Sequence, residues 1–437
     1  MPEARSRHKR APGLVATIGD AKALGHAPAA ANEPRGLVAN AALVPKWLSP
    51  RAYAQAVAGR PRAIMIDCCQ WAVAPQLLAK PRKKVTRQDP HDERLERLRN
   101  WLRALGGEFR LRLETLRPAS SDASFRRYFR IDTQPSSQDP PQAASYVAMD
   151  APPAHEDCRP YVHVAHLLAE QHVSAPEIFA ADLQQGFLLL TDFGSTTYAD
   201  ALRQPGVDVA ALYADAIAAL VRLQHSQPGA TLPPYDEQRL LFEMQLFPEW
   251  YLARHLGKEP TASEREVLHR AFGLLVEAAT GQSQVLVHRD YHCRNLMVLP
   301  APQCNPGVLD FQDAVVGPIS YDLVSLLRDA YVEWPEAQQL DWAARYWELA
   351  RAAHLPVPER FDAFWRDLEW MGLQRGLKVL GIFARLYHRD GKSRYLADLP
   401  LVLRHTQRVV ERYGAFSGLA RLLDRVHERA AQTGLTF

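Results

Sequence analysis

His288-Arg289-Asp290-Tyr291-His292-Cys293-Arg294-Asn295 follows directly on the apolar run Val285 to Val287, and Asp310-Phe311-Gln312-Asp313 follows on a second, Val308-Leu309. Phosphoryl transfer to an alcohol needs a carboxylate that orients the attacking hydroxyl and accepts its proton, and oxygen ligands for the cation on the nucleotide. Asp290 is the candidate for the first task. Asn295 and Asp310 are the candidates for the second, because Mg²⁺ takes one or two carboxylate or amide oxygens and completes its shell with phosphate oxygens. Either motif alone also fits a strand-end hydrogen bond or a turn cap. The two together, in this order after two apolar strands, favour chemistry. His288 is expected to brace the loop, and Asp322, one turn into the next helix, to anchor it through backbone hydrogen bonds. Cys293 has no adjacent base and is expected to be a bystander.

A nucleotide such as ATP requires a phosphate cradle. Pro118-Ala119-Ser120-Ser121-Asp122-Ala123-Ser124 is a turn of small residues whose amides and hydroxyls, those of Ser120, Ser121, Asp122 and Ser124 among them, suit phosphate oxygens. A polar hairpin accounts for the same residues equally well. Lysine is absent between Lys84 and Lys258, and Met149 stands in the third strand of this region. Arg126, Arg127 and Arg130 are the available cations. Arg126 and Arg130 are expected on one strand face, and a guanidinium can bind phosphate bidentately. Glu156 is placed to position such an arginine. The run Phe187 to Gly194, with Leu190, Asp192 and Phe193, is expected to be the strand and hinge against which an adenine packs.

These residues must be carried by elements whose patterns are visible. Leu95, Leu98, Trp101, Leu102 and Leu105 recur at helical spacing, with Gly106-Gly107 as the stop. Alternation over Phe109 to Leu116, Phe125 to Ile131 and Tyr146 to Met149 predicts three antiparallel strands. A helix over about 157–171 and strands over Glu177 to Ala181 and Phe187 to Asp192 complete a sheet-rich lobe spanning 91–193. From 194 to 437 the pattern is almost wholly helical, interrupted by short apolar runs at Val285 to Val287, Leu296 to Leu299 and Val308 to Phe311. The expected fold is α+β, with a small antiparallel-sheet lobe followed by a larger helical lobe.

Composition bounds the rest. The chain has 437 residues, 47% hydrophobic and 23% charged, enough for a sizeable core. Residues 1–90 carry 15 basic against 5 acidic side chains, and the remainder 37 against 44. The folded body is therefore acidic, and no nucleic-acid partner is expected. The first 90 residues are rich in Ala, Pro and Arg without a sustained apolar period and are expected to be disordered. A flexible tail, a targeting leader and an upstream extension foreign to the natural product all fit them. No run approaches the roughly 18 apolar residues of a membrane span. Five irregularly spaced cysteines suit a reducing compartment, so a cytoplasmic monomer acting on a small molecule is the expectation.

The sequence resembles the kinase-like phosphotransferases, and within them the aminoglycoside and choline phosphotransferase group: His292 stands two residues after Asp290, and the path from Asp310 through Gly317-Pro318 to Tyr321-Asp322-Leu323 leaves no room for an activation segment. It is most similar to the anomeric amino-sugar kinases of bacterial cell-wall recycling. That similarity rests on Ala123-Ser124-Phe125-Arg126-Arg127-Tyr128-Phe129-Arg130, Met149-Asp150-Ala151-Pro152-Pro153, Glu156-Asp157-Cys158, Gly186 to Leu190, Leu373-Gln374-Arg375 and Leu377 to Leu386. The resemblance implies a protein-kinase-like bilobal fold and transfer of the ATP γ-phosphate to the C1 hydroxyl of N-acetylmuramate or N-acetylglucosamine. It also implies that Asp290 orients that hydroxyl while Asn295 and Asp310 hold Mg²⁺. The strand without lysine is a trait of this group, whereas Gly376 departs from the histidine expected between Arg375 and Leu377. Arg375, Lys378 and Arg385 follow one helix stripe and are the candidates for a sugar carboxylate; a solvated stripe is the bland alternative. The runner-up activity, phosphorylation of an aminoglycoside or another amine, calls for an acidic pocket, which Glu333, Glu336, Asp341, Glu348, Asp362, Asp367 and Glu369 could line. A nucleotide-binding pseudoenzyme is the third reading.

Overall fold

The computed structural model describes residues 92–120, 125–135, 144–226, 228, 231–300 and 303–428. All of them belong to the compact unit Ala79–Phe437. The expected disordered extension over 1–90 and the turn residues Ser121, Asp122 and Ser124 lie outside the described residues.

Helix α1 (Glu93–Phe109) begins where Asp92 accepts a hydrogen bond from the Leu95 amide at 3.0 Å, and it buries Leu98 and Leu102. It runs through Gly106-Gly107, where the sequence predicts a stop, and ends at Arg110 in the left-handed conformation. Two glycines at the fraying end of a helix anchored by buried leucines cost too little to end it early. The first predicted strand is displaced. Residues Leu113–Thr115 form a 3₁₀ turn and β1 is Arg117–Ser120. Strands β2 (Arg127–Asp132), β3 (Ser145–Asp150), β4 (Ile178–Asp182) and β5 (Phe187–Thr191) join it in an antiparallel sheet of order β1-β2-β3-β5-β4. One sheet face packs Phe129, Ile131, Ala148 and Leu189 on α1. The opposite face, with Met149, Leu188 and Leu190, packs on α2 (Arg159–Glu170) and continues into the core of the helical lobe. Met149 is fully buried in that core, so it packs and does not reach a ligand.

The helical lobe comprises α3 (Tyr198–Ala201), α4 (Val209–Gln224), α5 (Glu237–Leu246), α6 (Ala262–Thr280), α7 (Tyr321–Leu327), α8 (Glu336–Ala352), α9 (Phe361–His388), α10 (Leu399–Arg412) and α11 (Ser417–Val426). The central member is α9, 28 residues long, which carries Arg375 and Lys378 on its buried side. A Cβ on Gly381 would lie 2.4 Å from the backbone of Leu246, so only glycine lets α9 approach the junction of α5 with the π-helical segment Phe247–His255 this closely. Two short ribbons present the motif residues. Strand β6 (Gln284–Val287) pairs with β9 (Val315–Pro318), and β7 (Leu296–Met297) pairs with β8 (Gly307–Val308). The lobes are tied where the Val308 amide donates to the Ser174 carbonyl at 2.7 Å. No helix among the described residues is long and apolar enough to cross a membrane.

Candidate active site

The loop after β6 is held from beneath. Asp322, fully buried in the first turn of α7, accepts the His288 amide at 2.6 Å and the Arg289 amide at 2.9 Å. Burial pushes its carboxyl up to about 7, while the two amides favour the carboxylate form. His288 braces the loop as the sequence suggested: its Nε2 lies 2.9 Å from the Leu309 carbonyl, and its Nδ1 accepts the Asp290 amide at 3.2 Å. That arrangement fixes the neutral tautomer with the proton on Nε2, and burial pushes the imidazole down to about 4. Cys293 is buried, its amide bonds to Asp329, and burial raises its thiol pKa, which leaves an unreactive side chain.

Leu309 ties the two motifs together through its hydrogen bonds. Its amide donates to the Asn295 carbonyl at 2.9 Å and its carbonyl receives His288, the brace of Asp290. Asn295 and Asp310 therefore leave adjacent ends of the β7/β8 ribbon, where paired residues lie about 5 Å apart. The Asn295 Nδ2 donates to the Asp290 carbonyl at 2.9 Å, which leaves Oδ1 as the acceptor end of that side chain. Asp310 takes a left-handed φ of 63°, tolerated by aspartate, and Gln312 donates to its Oδ1 at 2.8 Å. An amide oxygen beside a carboxylate is the donor set a hard divalent cation takes when phosphates supply the rest.

Asp290 itself faces a cationic surround. Burial opposes its ionisation, yet Lys378, His292 and Arg289 together hold its carboxyl below the ordinary aspartate value. Beneath it lies a network the sequence did not reveal. Glu243 of α5 accepts Arg289 at 2.6 Å through Oε1 and Lys378 at 3.1 Å through Oε2, and it also receives the Tyr235 hydroxyl. Lys378 donates to the Tyr321 hydroxyl at 2.9 Å. Arg289 takes a left-handed φ of 77°, a strained state for a long side chain, and the ion pair with Glu243 holds it there. No local pattern marks Glu243, because it meets Arg289 across 46 residues; its only sequence sign is an acidic side chain on an otherwise buried helix face.

Asp290, His292, Tyr331, Arg375, Lys378 and Phe383 line a small cleft of about 80 Å³ that is open to solvent on one side. Arg385 does not line it; it is half-buried about two turns beyond Lys378 on α9, and burial beside Arg389 lowers its pKa. Glycine at 376, where the resemblance leads one to expect histidine, fits α10: a Cβ there would meet the Thr406 hydroxyl at 2.4 Å.

On the nucleotide side the arginines divide. Arg126 precedes β2 and reaches the motif, 3.8 Å from Glu156 and 3.9 Å from Asp310. Burial would lower its pKa, but Tyr128, Asp310 and Glu156 raise it. Glu156 also accepts the Phe125 amide, and Phe125 stacks on His155 at 4.2 Å, which fixes the turn that carries Arg126. Arg127 pairs with the buried Asp150, a carboxylate it shares with Arg94. Arg130 pairs with Asp192 at 2.5 and 2.8 Å and donates to the Gly194 carbonyl, and Ser145 donates to the same Asp192. Arg126 and Arg130 thus diverge, because Asp192 captures Arg130 at the hinge. Leu190 is buried in the core, Phe193 packs against Gly307, and Ser120 closes β1. The candidate acidic pocket does not form: Glu333, Glu336, Asp341, Asp362, Asp367 and Glu369 each pair with a nearby arginine, and neither they nor Glu348 line the cleft.

Comparison with known proteins agrees with this geometry. An N-acetylmuramate/N-acetylglucosamine kinase of Pseudomonas putida is 46% identical over 340 residues, 76% of this chain and 96% of that protein. One of Neisseria meningitidis is 46% identical over 348 residues, 79% of this chain and 100% of that protein. Among solved structures, an ethanolamine kinase of Plasmodium vivax shares the fold with a TM-score of 0.51 at 10% identity, over 74% of this chain and 96% of that one. The model of the phosphotransferase enzyme family known as APH matches residues 115–364, and the chain belongs to that family.

Proposed function

We propose that the protein is an ATP-dependent sugar kinase that transfers the γ-phosphate to the anomeric C1 hydroxyl of N-acetylmuramate and N-acetylglucosamine, a step in recycling cell-wall peptidoglycan. The observation that carries this reading is the cleft in which an ionised Asp290 faces aromatic and cationic side chains of α9 and its neighbours. The names of the two bacterial kinases at 46% identity supply the substrate class.

Asp290 accepts a hydrogen bond from the attacking hydroxyl and takes its proton as the bond to phosphorus forms. Its lowered pKa keeps it ionised, able both to orient the hydroxyl and to take its proton as transfer proceeds. Asn295 and Asp310 would hold Mg²⁺, which when bound neutralises the phosphate oxygens. Arg126, poised between Glu156 and Asp310, offers a guanidinium to the phosphates in place of a strand lysine, and the residue types of Ser121, Asp122 and Ser124 suit phosphate oxygens as well. The hinge backbone through Asp192 and Phe193 borders the adenine, with the buried Leu190 supporting it from the core. Tyr331 and Phe383 offer ring faces to sugar C–H groups.

Cations at the cleft disfavour a polycationic aminoglycoside. Purified protein should phosphorylate N-acetylmuramate and N-acetylglucosamine and leave kanamycin untouched, with phosphorus–carbon coupling in the product placing the new phosphate on C1. Phosphate on kanamycin alone, or on another sugar carbon, would refute the assignment.

A further inference from the structure

Three cations line the cleft that holds Asp290: Arg289, Lys378 and Arg375. Two of them share one counterion, Glu243, at 2.6 and 3.1 Å. Arg375 has none. It is 8% exposed, its one hydrogen bond is a 3.5 Å contact to the Arg328 carbonyl, and among the described residues no carboxylate lies within ion-pair distance of its guanidinium. Asp322 feels its charge, but both Asp322 oxygens are taken by backbone amides. A guanidinium always stays charged, and one that lines a cleft with a single long hydrogen bond and no carboxylate beside it is placed to receive an anion.

We propose that this anion is the substrate's own carboxylate, and that Arg375 makes the cleft selective for an acidic amino sugar over its neutral counterpart. The inference rests on the sugar-kinase reading above and deepens it. N-acetylmuramate differs from N-acetylglucosamine by a lactyl ether on O3 that ends in a carboxylate, so one of the two sugars carries the missing charge. The placement fits. Lys378, whose charge acts on Asp290, stands one helical turn from Arg375, about 4.5 Å along the axis of α9, which is comparable to the width of a pyranose ring. A sugar with its C1 hydroxyl at Asp290 can therefore extend its acidic arm toward Arg375. The planar fork of Arg375 suits bidentate capture of a carboxylate. Arg385, which does not line the cleft, is not part of this site.

The test compares three acceptors, N-acetylmuramate, its methyl ester and N-acetylglucosamine, with the full-length enzyme and its Arg375→Gln and Arg375→Lys variants. In the unaltered enzyme the ester should show a KM about 10- to 100-fold above that of the acid, the value of a charge-assisted hydrogen bond to a buried ion. Arg375→Gln should raise KM for the acid by a similar factor, bring acid and ester to parity and change kcat much less. Arg375→Lys should recover part of the preference. Equal KM values for acid and ester in the unaltered enzyme would overturn the proposal, as would an equal rise in KM for both free sugars on Arg375→Gln. The ester comparison needs no variant, so it decides the matter even if Arg375→Gln fails to fold. If the unaltered enzyme phosphorylates neither free sugar, the sugar-kinase reading fails instead, an outcome distinct from a sugar kinase without charge preference.

Discussion

Replacing Glu243 with glutamine tests whether the buried network beneath Asp290 is held by charge. The change keeps shape and removes one charge, leaving the buried Lys378 and the half-buried Arg289 without the carboxylate that both contact. Removing one partner of a buried ion pair costs about 3 to 5 kcal/mol, because the stranded charge keeps its desolvation penalty. For a folded body of roughly 340 residues, an unfolding entropy near 2.1 cal/mol/K per residue converts this to a fall in Tm of about 5 °C. A kinetic effect should accompany it. Lys378, released from Glu243, has Asp290 as its remaining acidic neighbour in the cleft, and an ammonium drawn onto Asp290 competes with the acceptor hydroxyl. A displacement of that kind lowers kcat on the order of 100-fold, while KM for ATP, bound on the far side of the motif, changes little. Melting curves and steady-state kinetics on the same preparation measure both effects. The double variant Glu243→Gln/Lys378→Met should regain part of the lost Tm, since it removes one stranded charge. A single variant that melts within a degree of the parent, with kcat unchanged, would refute the reasoning.

Other expectations follow from single contacts. Arg126→Ala should raise KM for ATP about 10-fold, the loss of one charge-assisted contact, in an initial-rate assay at saturating sugar. Gly381→Ala should lower Tm more than Gly376→Ala, since the new methyl meets the Leu246 backbone in the first and a rotatable Thr406 hydroxyl in the second. The pH dependence of stability should show opposed limbs. His288 is pushed down to about 4, so between 6.5 and 4 the unfolded chain binds a proton that the folded chain refuses. Its contribution is therefore present above pH 6.5 and lost as pH falls. His405, pushed down to about 3, adds to that loss, whereas Asp322, held up to about 7, makes stability decline as pH rises from 4 toward 7. Urea midpoints between pH 4 and 8 should show a shallower acid limb for His288→Gln than for the parent.

What the sequence disclosed and what it hid divide along chain distance. Asp290, Asn295 and Asp310 sit at the ends of short apolar strands, so local pattern and residue type together mark them. The bracing roles of His288 and Asp322 follow from the same proximity, and both are seen in the hydrogen bonds of the loop. Glu243 and its pairing with Lys378 are contacts between α5 and α9, far apart in the chain and without periodicity of their own. The shared strand face drawn for Arg126 and Arg130 fails because strand alternation says nothing of Asp192, which arrives from β5 to capture Arg130. The misplaced first strand has a local cause. Alternation over Phe109 to Leu116 fits a strand, but there the end of α1 and a 3₁₀ turn bury those apolar side chains instead. Glu336 and Asp341 of α8 and Asp362, Asp367 and Glu369 of α9 are consumed by neighbouring arginines, a choice of partner that composition does not specify.

The most direct measurement is single-turnover transfer from ATP to N-acetylmuramate by the enzyme and by its Asp290→Asn variant, followed as sugar phosphate and ADP, with nucleotide affinity measured in parallel. The account predicts that the amide, which cannot take the hydroxyl proton, slows transfer at least 100-fold, with ATP affinity within a factor of about 3 of the parent. Transfer at the parent rate by Asp290→Asn would contradict it.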